Sequence, residues 1–458
     1  MKPFVEEVCE FCQPAIPDTP AGTILTAWLK AFNSAELTQM QTFDKNHGHK
    51  GTPPLAQMLD FREQTGGFAL LQIEKSEFHS LIALIQERNS DTVARLILST
   101  NSSEPPQLVK MTLLITARPA DLAIQRMTKA DALTSLSDRA DEEAKNDRFS
   151  GAVLIARHGK ILLQKGWGYA NREEGAAITL DTQFRLGSLN KMFTAIATLQ
   201  LIEAGKLNLD NTVGMYLSDY PNEDVASKVT VRHLLTHTGG TDDIFGRAFT
   251  ENRLKLREHC DYLKLYGARD LVHEPGAEYR YSNYGYVLLG ALIEKVTGIS
   301  YYQYMRLNIF QIAGMESTDS LPETDDVPKR ACGYMRCNGM WQSNVDTLPW
   351  RGNAAGGGYS TVGNLFRFAQ ALESGALISK TLLAEATKPQ AQQYGYGFEL
   401  SGDGLLHSYG HGGGAPGMNG YFRIFPHLGY VVVGLSNFDP RAASRLIEYF
   451  TNRMPVAP

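Results

Sequence analysis

Along residues 1–125 the apolar positions follow two rhythms. Ile24, Leu25, Trp28, Leu29 and Phe32 recur at steps of three and four, the spacing of one helix face, which predicts a helix over 21–35; residues 54–65 read as a second. Four stretches rich in β-branched and aliphatic residues follow at 67–75, 78–86, 92–99 and 108–117, separated by turn residues, and predict an antiparallel meander. Helices followed by strands make an α+β unit. A polar helical stretch over 128–146 then leads into strands at 151–156 and 160–167, joined at His158-Gly159. The middle is helical at 188–204, 231–236, 284–297 and 301–310. Strands return at 395–400, 419–425 and 430–435 before a last helix over 441–452. Strands at both ends of a helical middle predict one sheet assembled from the two ends. The organisation is therefore an accessory module over 1–125 and a larger domain over 126–458, without internal repeats.

Composition narrows the class. With 458 residues, 43% apolar and 20% charged, the chain is globular. A formal net charge of −5 supplies no basic field for phosphates, so nucleic acid is not an expected partner. No apolar run is long enough to span a bilayer, and Met1-Lys2-Pro3-Phe4 opens no signal-peptide core. The expected product is soluble: cytoplasmic as it stands, periplasmic or secreted if a leader has been removed. Five scattered cysteines do not describe a disulfide framework, and Cys9-Glu10-Phe11-Cys12 lacks the second pair a zinc site needs. The histidine pairs His47/His49, His233/His237 and His407/His411 lack a third ligand nearby. No metal or other cofactor is expected.

Ser188-Leu189-Asn190-Lys191 opens an apolar run (Met192, Phe193, Ala195, Ile196, Leu199) that reads as a buried helix, with Ser188 in its first turn. Residues three apart share a helix face, so the Lys191 amine reaches the Ser188 hydroxyl, and the helix N-terminus favours developing negative charge. Burial keeps part of a lysine neutral, which makes it a base for a weak nucleophile. An N-capping serine followed by a surface lysine has the same spacing. Two later boxes set this pair apart. Tyr281-Ser282-Asn283 precedes a helix, where Tyr281 can relay protons and Asn283 can hold Lys191 and a substrate carbonyl. His411-Gly412-Gly413-Gly414 precedes a strand and can direct the Gly414 N–H, together with that of Ser188, at an oxyanion. The lookalikes Tyr169-Ala170-Asn171, Tyr220-Pro221-Asn222 and His237-Thr238-Gly239 stand in the wrong order or setting.

Five ordered boxes carry a resemblance: Phe-Arg-Leu-Gly-Ser-Leu-Asn-Lys at 184–191, His-Leu-Leu-Thr-His-Thr-Gly-Gly at 233–240, Tyr281-Ser282-Asn283, Ala-Gly-Gly-Gly-Tyr-Ser-Thr at 355–361, and His411-Gly412-Gly413-Gly414. From residue 128 onward the chain resembles the serine beta-lactamase-related family, which includes class C beta-lactamases, D,D-peptidases, D-aminopeptidases and family VIII esterases. The resemblance implies an α+β fold with a beta-lactamase-like antiparallel sheet flanked by helices. It implies Ser188 as acylated nucleophile, Lys191 as general base, Tyr281 as proton relay, Asn283 as substrate ligand and Gly414 as oxyanion donor. The helix and strand order of the first module is similar to the cystatin-like, nuclear-transport-factor-like fold. Where class C beta-lactamases carry Lys-Thr-Gly, this chain has His411 and Gly412, so a fixed cation and a hydroxyl for a substrate carboxylate are replaced by a histidine that charges mainly below neutral pH. Substrate contacts are then expected from Asn283, His411, Gly413 and Gly414, with Phe245, Trp341 and Trp350 around an acyl pocket. The expected function is a serine hydrolase for small esters or amides through an acyl-enzyme on Ser188. A D-aminopeptidase, a D,D-peptidase-like hydrolase and a weak beta-lactamase are the alternatives, and an inactive binding or scaffold protein is the non-enzyme alternative. The expected partner is a small-molecule or short-peptide substrate, and the sequence carries no signal for an oligomeric state.

Overall fold

Thr19 starts the first helix: its hydroxyl accepts the Gly22 N–H at 3.1 Å and Pro20 takes the first turn, where its missing N–H costs nothing. The computed structural model describes residues 14–48, 54–337 and 339–456, so Cys9, Cys12 and His49 lie outside the described residues. The chain divides into two compact units, 1–125 with 336–341, and 126–335 with 342–458.

The first unit holds α1 (Pro20–Ser34), α2 (Leu37–His47) and α3 (Leu55–Thr65), then β1 (Phe68–Ser76), β2 (Ser80–Glu87), β3 (Val93–Thr100) and β4 (Leu108–Thr116). The strands form one antiparallel sheet in chain order. Trp28 and Phe32 on α1 lie over Phe68 at ring separations of 5.8 and 5.4 Å and close a core with Leu81, Ile85, Leu96 and Leu98. The sequence predicts two helices here, and the described residues form three. Helix α2 buries only Met40 and Phe43, too few apolar positions to leave a period.

In the second unit, α4 (Lys129–Lys145) is capped by Thr128, whose hydroxyl accepts the Asp131 N–H. Strands β5 (Gly151–Arg157) and β6 (Lys160–Trp167) follow, then α5 (Asn190–Glu203), α6 (Asn283–Thr297) and α7 (Val362–Ser374). The chain continues through β7 (Glu399–Ser401), β8 (Ser408–Ala415), β9 (Met418–Phe425), β10 (Tyr430–Ser436) and α8 (Ala442–Arg453). The sheet order is β7-β8-β9-β10-β5-β6, antiparallel throughout, so its centre joins the early strand β5 to the late strand β10. Alternate residues of β5 serve opposite faces. Ala152, Leu154 and Ala156 join the core that holds α5, α6 and α7, while Val153 and Ile155 join a second core with α4 and α8. Two predicted elements change form. The strand expected at 395–400 is reduced to β7, because Gly395 N–H bonds back to the Phe398 carbonyl and Gly397 turns at φ +79°, where a Cβ would lie 2.2 Å from that of Ala195. The helix expected over 301–310 is α-helical at Tyr301–Met305 and widens to a π turn at Arg306–Phe310.

Candidate active site

Gly187 adopts φ +53°, and a Cβ there would stand 3.0 Å from the Gly414 amide nitrogen. The chain can therefore reverse tightly against β8. The resulting 3-10 turn, Gly187–Leu189, carries Ser188 just ahead of α5 rather than inside its first α-helical turn. The glycine-rich run 355–361 grips the same turn: Leu186 N–H donates to the Gly358 carbonyl and Gly357 N–H to the Gly187 carbonyl, both at 3.1 Å. Ser188 itself is only half-buried.

Lys191 lies on the next turn and is fully buried. Its Nζ stands 3.1 Å from Ser188 Oγ and donates to Asn283 Oδ1 at 2.7 Å and to the Ala355 carbonyl. Burial lowers the ammonium to about 7, against the opposing pull of Asp243 and Glu399. Asn283, the first residue of α6, turns its Nδ2 to both oxygens of Asp243 at 3.0 and 3.1 Å. That contact fixes which end of the amide meets Lys191. The Tyr281 ring centre lies 4.7 Å from Lys191 Nζ, and the neighbouring Ser188 side chain favours the ionised phenol. Burial raises the Tyr281 phenol well above its ordinary value, so it is a proton donor at neutral pH. His237, the rival histidine, is buried beneath Tyr281 with ring centres 4.2 Å apart, and its Nδ1 accepts the Ser282 N–H at 3.0 Å.

The box at 411–414 lies inside strand β8 and not in a loop. Gly412 N–H points toward the β7 edge, where it meets Glu399 Oε2 at 3.1 Å. Strand periodicity turns the Gly414 N–H to the same edge, and β7 pairing stops at Gly410. Gly414 is exposed and borders the cavity beside Ser188. Two expectations need correction. His411 does not border the cavity beside Ser188: its ring is 1% exposed, Nε2 meets the Tyr394 hydroxyl at 3.0 Å, and Nδ1 stands 3.4 Å from Glu399 Oε1. Burial lowers its pKa, with Glu399 opposing, so it is no ready cation for a carboxylate. Gly413 is a spacer, since a Cβ there would fall 2.2 Å from the Leu186 carbonyl oxygen. Glu399 answers to Arg423 at 2.6 Å; burial alone would raise its carboxyl, but His411, Arg423 and the Gly412 N–H hold it down to about 2.

A cavity of about 410 Å³ opens on Ser188, Asn283 and Gly414. Ile244, Phe245, Phe249, Leu348, Pro349 and Met418 are among its apolar lining residues. Of the three aromatic residues expected around an acyl pocket, Phe245 borders this cavity, while Trp341 and Trp350 are not among its lining residues and lie against Arg336 and Arg257. Among the described residues no three His, Cys, Asp or Glu side chains are grouped to hold a metal, and no helix is long and apolar enough to cross a membrane. Sequence reasoning missed Asp243, Glu399 and the Ala355 carbonyl. The first two sit in irregular or very short segments without a period, and a backbone oxygen has no sequence signal beyond its glycine-rich neighbourhood.

The Beta-lactamase family model matches residues 131–451. Penicillin-binding protein 4* of Bacillus subtilis is 32% identical over 297 residues, 59% of this chain and 64% of its own length, so the chain spans less than two thirds of that relative. The crystal structure of a penicillin binding protein from Bacillus halodurans superposes with a TM-score of 0.62 at 30% identity, over 67% of this chain and 98% of that one. A D-stereospecific amidohydrolase from a Streptomyces species superposes with a TM-score of 0.57 at 29% identity, over 69% of this chain and 97% of that one.

Proposed function

The chain belongs to the beta-lactamase family, and from that premise we propose that it is a serine hydrolase that cleaves small esters or amides through an acyl-enzyme on Ser188. The observation that carries the reading is the buried Lys191 amine 3.1 Å from the Ser188 hydroxyl, with its pKa lowered to about 7. A neutral amine has two N–H bonds and one lone pair. With the N–H bonds directed at Asn283 Oδ1 and the Ala355 carbonyl, the lone pair is left for the Ser188 proton. Ser188 Oγ then attacks the carbonyl carbon as Lys191 takes that proton, while the N–H groups of Ser188 and Gly414 receive the oxyanion. Tyr281 gives its phenolic proton to the leaving oxygen or nitrogen and regains one from the Lys191 ammonium. Water repeats the sequence on the acyl-enzyme.

Beta-lactams rank lower because β8 offers neither a cation nor a hydroxyl beside Gly414: His411 faces Glu399 and Tyr394, and Gly412 has no side chain. D-aminoacyl amides are the second reading, favoured by the likeness to the Streptomyces amidohydrolase. Two experiments test the proposal. A fluorophosphonate is expected to label Ser188 by mass spectrometry, and an adduct on another serine, or undiminished hydrolysis by Ser188→Ala, refutes the assignment. A parallel screen of p-nitrophenyl esters, D-aminoacyl amides and a chromogenic cephalosporin is expected to rank the cephalosporin below the best ester or amide; the reverse order overturns the substrate ranking alone.

A further inference from the structure

The cavity wall is apolar apart from a few groups, and one of these is a cation that the proposed chemistry does not use. Arg253 follows the short helix Arg247–Asn252 and borders the cavity that opens on Ser188. One of its N–H groups, on Nη1, donates to the Leu348 carbonyl at 2.9 Å, which ties the end of the helix that carries Phe249 to the loop that carries Leu348. Among the described residues no carboxylate pairs with it, although Asp346 borders the same cavity. Its remaining nitrogens are not sealed in the protein either, since none is among the buried polar atoms without partners. A guanidinium has five N–H groups in a planar fork that matches a carboxylate, and it stays charged at every working pH. Here that fork is anchored at one corner and open at the others.

We propose that Arg253 binds a carboxylate on the substrate, so that the preferred substrates are esters or amides with an apolar body and a free carboxylate. This rests on the reading of Ser188 as nucleophile. The apolar body is held by Ile244, Phe245, Phe249 and Met418, and the charge is presented from the loop after the 247–252 helix. It does not come from β8, where His411 is turned away. The acid group is thus recognised from a different wall than the third box would supply.

The test uses matched aryl esters that differ by carboxylate against carboxamide. One pair, 3-acetoxybenzoate and 3-acetoxybenzamide, carries the group on the leaving side. The other, the mono-p-nitrophenyl ester of terephthalate and p-nitrophenyl 4-carbamoylbenzoate, carries it on the acyl side. The wild-type protein is expected to favour the carboxylate member of at least one pair in kcat/KM. Arg253→Gln, which keeps a donor for the Leu348 carbonyl, is expected to lower that preference about 10- to 100-fold, the usual range for a charge-assisted hydrogen bond, and Arg253→Lys to restore part of it. Equal losses on both members, or a wild-type preference for the carboxamides in both pairs, would overturn the proposal and leave Arg253 as a loop tie. Binding separates this outcome from failure of the nucleophile assignment. Calorimetric titration of the carboxylate esters into Ser188→Ala and into Ser188→Ala/Arg253→Gln is expected to show about tenfold weaker affinity in the double variant whatever serine performs the chemistry, and equal affinities count against the carboxylate site.

Discussion

Burial sets the proton affinity of Lys191, with the carboxylates of Asp243 and Glu399 pulling the other way. With its pKa at about 7, the acylation rate is expected to rise with pH through that value, because only the neutral amine accepts the Ser188 proton. Asp243 raises the Lys191 pKa, so Asp243→Asn is expected to shift this limb of the kcat/KM profile to lower pH, and an unmoved limb would detach Asp243 from the base. Lys191→Met is expected to remove on the order of 10³-fold of kcat, whereas Tyr281→Phe should cost less because water can carry part of a proton relay. The reverse ranking would make the tyrosine the base. Burial of this lysine also has a stability signature. The unfolded chain holds a proton on Lys191 up to about 10.5 and the folded chain only up to about 7, so the unfolded state binds more protons in between and stability rises with pH across that window. Urea denaturation of the wild type and of Lys191→Met should show the wild type gaining on the variant from pH 7 to 10. The pair Ser188 and Lys191 was legible because three-residue spacing fixes a helix face. His411 was misplaced because sequence gives no direction to a strand side chain until the register of β8 against β7 and β9 is known.

At the scale of elements, the contact between the nucleophile turn and β8 depends on the absence of side chains. Gly413→Ala would press a methyl group into the Leu186 carbonyl and is expected to destabilise the fold by about 1–3 kcal/mol and to reduce turnover through the displaced Gly414. One residue earlier, a Cβ at Gly412 meets nothing nearer than the Glu399 carboxylate at 3.8 Å, so Gly412→Ala should remain close to wild type in a urea titration. Similar losses at both positions would refute this account of the strand. Elements with a full period were legible in the sequence: α1, the meander β1 to β4, α4 and the buried runs of α5 and α6. Those shaped by neighbours were not. Helix α2 buries two side chains, β7 is cut short by the turn at Gly397, and the third box, expected to precede a strand, is itself paired to β9 along its whole length.

For the whole molecule, every residue given a role at the site belongs to the second unit. A fragment of residues 126–458 is expected to take a fluorophosphonate on Ser188, and a fragment with native circular dichroism but no adduct would give the first 125 residues a share in the chemistry. That one sheet unites both ends of the domain was legible from the order of strands and helices, but the neighbour of β5 was not, since pairing across so long a separation leaves no local trace. β5 pairs with β10 residue for residue from Gly151 against Ser436 to Arg157 against Tyr430, which has a consequence during synthesis. At about 5–20 residues per second, the roughly 270 residues between the two strands take about 14–54 s to translate. Throughout that interval the nascent chain carries Gly-Ala-Val-Leu-Ile-Ala as an apolar edge with its central partner still unmade. Ribosome stalling or a stop codon before residue 430 should therefore yield aggregated protein, rescued by chaperones that bind extended apolar segments, rather than a smaller soluble enzyme.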